Sequence, residues 1–88
     1  MVYAITYDLR KLGQDYSFLY KKIKSLGETH HPLQNLWFLD SNKTLSEILD
    51  SLMEAIDQND YIFCTKIFKD NYDAWMPKES HDWLKDRI

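Results

Sequence analysis

Asp8 ends a run of residues, Met1-Val2-Tyr3-Ala4-Ile5-Thr6-Tyr7, that otherwise reads as a buried strand. A carboxylate at a strand end accepts backbone hydrogen bonds as a turn begins, ligates a divalent cation through oxygen, or does both. Two copies meeting across a two-fold axis could hold one ion, Mg2+ or Mn2+, between their Asp8 carboxylates and activate water for phosphodiester cleavage. Basic side chains follow closely, Arg10 and Lys11 and then Lys21, Lys22 and Lys24, with Tyr16, Phe18 and Tyr20 interleaved. This mixture of cations and rings suits contact with phosphates and stacked bases, and it suits equally the solvated face of an amphipathic helix.

The remaining chemistry-bearing residues have plainer readings. His30 and His31 are neighbours, and neighbours on a strand point to opposite faces, so the two imidazoles do not readily share a metal. No cysteine or acid at ligand spacing accompanies them, which favours a structural or solvent-facing role. His81 falls in an acidic tail and is expected at the surface. Cys64 lies among apolar neighbours, where a thiol is an inert packing group. Tyr72, Trp75, Met76 and Trp83 give the tail large apolar side chains, able to pack on the core or to anchor an interface.

These residues must be positioned by a small set of elements. Both alternating sets of the first strand, Tyr3/Ile5/Tyr7 and Val2/Ala4/Thr6, are mostly apolar, as expected when a sheet is covered on both faces. Asp15 offers a helix cap, Tyr16, Leu19, Ile23 and Leu26 recur at helical spacing, and Gly27 supplies a left-handed terminus, which predicts a helix over 15–26. Residues 28–40 read as two short strands, the first made irregular by Pro32 and the second running from Leu36 to Asp40. Thr44-Leu45-Ser46-Glu47 is a capping box, followed by the stripe Leu45, Ile48, Leu49, Leu52 and Ile56. A turn over 57–60 leads to a strand over 61–68, and Pro77 stands at the expected first position of a short last helix. The order strand, helix, strand, strand, helix, strand predicts an α+β, ferredoxin-like antiparallel sheet over 1–70, with an aromatic extension over 71–88 packing on the body or on a partner subunit.

Composition bounds the function. The chain has 88 residues, enough for one core, and a second copy is a simple way to cover what that core leaves exposed. A homodimer is therefore expected. A net charge of −3, from 14 acids against 11 bases, weakens long-range steering towards phosphates but leaves room for a local basic stripe. One cysteine excludes an internal disulfide, and no charged leader with an apolar run opens the chain, which together predict a cytoplasmic protein. No apolar segment approaches the roughly 20 residues that span a bilayer, so no membrane partner is expected.

The strand ending Tyr7-Asp8-Leu9, the helix beyond it and Leu33-Gln34-Asn35-Leu36-Trp37-Phe38 resemble the small CRISPR-associated ferredoxin-fold family, the second of the two adaptation proteins, here termed Cas-two-like. The resemblance covers about residues 1–68. Leu12-Gly13-Gln14, His31, Trp75, Pro77-Lys78-Glu79 and Trp83 are similar to a group of short bacterial and phage-borne relatives often labelled SinR-family, and the strand-end acid is shared with VapD-type ribonucleases. The resemblance implies a dimer that binds or cleaves RNA or duplex DNA, with Asp8 as metal ligand and catalytic residue, or a scaffold in spacer acquisition; Arg10, Lys11, Lys21 and Lys22 of the basic stripe are the expected nucleic-acid contacts. The family's arginines after the first strand are reduced here to Arg10 and Lys11, which lowers the number of bidentate phosphate contacts. The reading from a different class is a non-catalytic interaction module of a mobile element or phage, engaging a protein partner through its aromatic tail.

Overall fold

The opening run does form a strand, β1 (Val2–Asp8), and its alternation divides the molecule into two layers. In the computed structural model, which describes residues 1–10 and 16–88, Tyr3, Ile5 and Tyr7 face one side of the sheet and Val2, Ala4, Thr6 and Asp8 the other. The remaining elements are α1 (Ser17–Ser25), β2 (Glu28–Leu33), β3 (Leu36–Asp40), α2 (Leu45–Met53), β4 (Tyr61–Lys66) and α3 (Lys78–Lys85). This is a small α+β fold with a four-stranded antiparallel sheet in the order β2-β3-β1-β4. β1 is central, so its residues meet neighbours on both edges and both faces.

One face carries the larger core. Leu19 and Ile23 of α1 and Ile48 and Leu52 of α2 pack on Tyr3, Ile5, Tyr7, Trp37 and Leu39, all buried. Fully burying such aliphatic side chains stabilises by about 1.5–3 kcal/mol each, which makes this layer the main source of stability. α2 begins with the expected capping box: the Glu47 amide donates to Thr44 Oγ1 at 3.2 Å and the Thr44 amide donates to Glu47 Oε1 at 2.9 Å. Those bonds hold the Glu47 carboxyl below the ordinary carboxylate range. The apolar stripe of α2 is narrower than its sequence suggests, because Leu45 is exposed and Ile56 lies beyond the helix end.

The second core lies on the opposite face and is made by the tail. Leu84 of α3 packs on Val2, Phe38 and Ile67, with Met76, Trp83 and Ile88 around them. Two polar clamps hold α3 down. His30 Nε2 shares a hydrogen bond with the buried Ser80 Oγ at 2.8 Å, and its ring stacks near Phe38 and Trp83. Arg87 donates to Glu28 Oε2 at 2.8 Å, stands 3.6 Å from Asp40 and lies 4.1 Å over the Trp83 ring.

Three details differ from the sequence expectations. Gly27 has no left-handed backbone; it is required because a β-carbon there would collide with the Asp40 carbonyl oxygen of β3. Pro77 is the N-cap of α3 in an extended conformation rather than its first helical residue. β4 stops at Lys66, two residues early, where Ile67 turns its amide to the Val2 carbonyl. The cap expected at Asp15 lies outside the described residues, and α1 has Tyr16 at its N-cap position with no side-chain cap. Pro32 falls where the β2–β3 register shifts between His30 and Leu33, as a residue without an amide donor should.

Candidate nucleic-acid interface

Alternation along β1 and β4 places Asp8 on the face away from α1 and α2. Asp8 pairs with Tyr61, Thr6 with Phe63 and Ala4 with Thr65, so these six residues share one surface. α3 covers only the Val2 and Phe38 end of that surface. At the other end Tyr61 and Phe63 are each 64% exposed. The Asp8 carboxylate is accessible and receives the Arg10 guanidinium at 3.1 Å, while the same guanidinium lies 5.6 Å from the centre of the Tyr61 ring. An ion pair this exposed contributes at most about 1 kcal/mol, so it leaves both groups free to take another partner.

Asp60 fixes that corner. Its buried carboxylate accepts from the Arg10 amide at 2.8 Å and from the Asp57 amide at 2.9 Å. The chain leaving β1 is thereby tied to the turn that enters β4, which sets Arg10 beside Tyr61. The turn residues around Asp57 carried this signal in the sequence, but not the partner fifty positions away.

The other expected contacts lie elsewhere. Lys21 and Lys22 are on α1, across the sheet from Asp8, and Lys22 is engaged by Glu54 of the segment after α2 at 3.1 Å. Lys24 reaches over the Trp37 ring at 5.8 Å. The α1 lysines and the Asp8–Arg10 corner therefore do not form one continuous stripe. Lys11 lies outside the described residues, as does the Leu12-Gly13-Gln14 segment. Among the described residues no group of three His, Cys, Asp or Glu side chains is arranged to hold a metal ion.

His30 and His31 point to opposite faces. His30 joins the α3 clamp, and His31 stacks on Trp37 with ring centres 4.1 Å apart. Trp37 in turn donates from Nε1 to the Tyr7 hydroxyl at 3.3 Å, within a cluster completed by Tyr16 and Tyr20. Burial pushes the Tyr7 phenol well above the ordinary tyrosine range. Cys64, on the α2 side of β4, is half-buried, and burial pushes its thiol up to about 11. It is a packing group rather than a nucleophile.

On the open face, between β4 and the segment 71–76, lies a groove of about 410 Å³ floored by Ala4, Leu36 and Thr65. Trp75 borders it and is 99% exposed. No family model and no solved structure matches the chain. No helix among the described residues is long and apolar enough to cross a membrane.

Proposed function

We propose that this protein is a Cas-two-like, nucleic-acid-associated homodimer of the cytoplasm, joined through the open face of its sheet, with the Asp8–Arg10–Tyr61 corner contacting nucleic acid at the rim of the joint. The observation that carries this reading is the uncovered row Tyr61–Phe63–Thr65 beside an accessible carboxylate and guanidinium. Rings on a sheet surface stack with bases, a guanidinium takes phosphate, and the remaining apolar face needs cover. The ferredoxin-like form of the fold is supported by the β-α-β-β-α-β order and by the central β1–β3 pair.

The scaffold role is favoured over cleavage, because among the described residues no group of three His, Cys, Asp or Glu side chains is arranged to hold a cation. A nuclease would need Asp8 from both copies, and Mg2+ or Mn2+ held there would supply an activated water. Cleavage of RNA and of duplex DNA, measured with and without each cation for the wild type and Asp8→Asn, tests this. Cleavage that needs the cation and vanishes in the variant would establish the nuclease and displace the scaffold reading. Binding without cleavage, weakened by Arg10→Gln and by added salt, is the expected outcome; a dimer that retains no nucleic acid at low salt would refute nucleic-acid association.

A protein-interaction module of a mobile element or phage is the second reading, and Trp75 is the observation that favours it. A side chain so large and so exposed is the kind that anchors interfaces.

A further inference from the structure

Trp75 is 99% exposed, and it stands at the mouth of an apolar groove. α3 and Met76 fix the segment from one side, while the ring itself is left in solvent. Exposing a tryptophan beside an unfilled apolar groove leaves two surfaces that each gain by burial.

An aromatic side chain presents about 150–250 Å², so Trp75 at 99%, Tyr61 and Phe63 at 64% each and Tyr72 at 37% leave roughly 400–650 Å² of ring surface uncovered. That summed area is comparable to the largest apolar patch of an ordinary monomer, about 300–600 Å². Half-exposed Leu33 and the groove floor extend it towards the roughly 800 Å² that each partner gives to a standard interface. A second copy of this chain offers a patch of the same size carrying both the knob and the hole. Such self-complementarity is what an isologous two-fold contact requires.

We propose that Trp75 of each copy inserts into the groove over Ala4, Leu36 and Thr65 of the other, so that the partner subunit completes a site that one chain leaves empty. This rests on the dimer reading above and assigns its anchor. A single-stranded nucleic acid stacked on the same rings is the competing occupant, and the test separates it.

The experiment is sedimentation of the full chain from low micromolar concentration upward, for the wild type, Trp75→Ala, Thr65→Arg and an equimolar mixture of the two variants. Both positions are exposed, so both variants should fold, which circular dichroism checks. Wild type should dimerise, and each variant alone should dimerise about tenfold or more weakly, as loss of an interface anchor does. The mixture should associate more tightly than either variant, because the heterodimer regains one intact contact: Trp75 from the Thr65→Arg copy in the open groove of the Trp75→Ala copy. Trp75→Ala dimerising like wild type would overturn the exchange while leaving the dimer standing, and so would a mixture that shows no recovery. A wild type that stays monomeric would overturn both; if it also loses affinity for a single-stranded oligonucleotide in Trp75→Ala, the groove belongs to nucleic acid.

Discussion

Leu84→Ala tests whether the tail helix is part of the folding unit or an appendage. Leu84 is fully buried against Val2, Phe38 and Ile67, and α3 is clamped by His30–Ser80 at one end and Arg87–Glu28 at the other. A helix clamped at both ends cannot settle into the space left by the lost side chain, so the cost should lie in the upper part of the usual range of about 2–5 kcal/mol. At about 0.05–0.15 kcal/mol per residue, a domain of this size has only some 4–13 kcal/mol to lose. With a urea dependence of about 1–2 kcal/mol per molar, the midpoint should fall by at least about 1 M. Leu52→Ala, equally buried on the opposite face, is the reference and should lower the same single transition by a comparable amount. A Leu84→Ala midpoint unchanged beside a lowered Leu52→Ala midpoint would refute the reasoning and show that α3 undocks before the sheet unfolds.

Thr44→Ala should cost about 0.5–2 kcal/mol in the same denaturation assay, because it strands the Glu47 amide at the start of α2. The Glu47 carboxyl titrates below its ordinary range, so its contribution is complete above the ordinary carboxyl pKa and fades as pH falls through the depressed value; Glu47→Gln should flatten stability against pH in that acidic window. Gly27→Ala should destabilise by about 1–3 kcal/mol through collision with the Asp40 carbonyl, and a neutral result would mean that β3 moves aside freely. Cys64, raised from its ordinary 9.0 to about 11, should react slowly with iodoacetamide at pH 8 in the native protein and quickly in urea. Its contribution to stability should be complete below pH 9 and be lost as pH climbs towards 11.

The elements were legible wherever a local rule spoke. The capping box names the start of α2 to the residue, and the apolar run of Val2 to Tyr7 announces a strand, although its outer face is covered only at the Val2 end. Gly27 was recognisable as special, but its reason was not, since the oxygen it must avoid belongs to Asp40 on a later strand. Asp8 could be singled out by type and position, and its neighbours could not. Tyr61 and Phe63 alternate with Ile62 and Cys64 in a way that gives two faces, but only the pairing with β1 shows that the ring-bearing face is the uncovered one. The lysines of α1 and the corner at Arg10 lie close in sequence and on opposite sides of the sheet in space. Trp75 and Trp83 look alike in sequence; the helix that packs the half-buried Trp83 beside His30 and Phe38 does not extend to Trp75.

The placement of β1 has a consequence for how the chain is made. This strand precedes every element it pairs with: β3 and β4 flank it, and α3 seals one end of its outer face. The contacts that hold the seal, His30 with Ser80 and Glu28 with Arg87, span 50 and 59 residues. At about 5–20 residues per second, translation leaves Val2 and Phe38 without their cover for several seconds after they emerge. Until α3 has been made, the outer face of β1 and β3 at Val2 and Phe38 therefore stays uncovered. Ribosome-bound chains halted before α3 should bind holdase chaperones that the finished protein ignores.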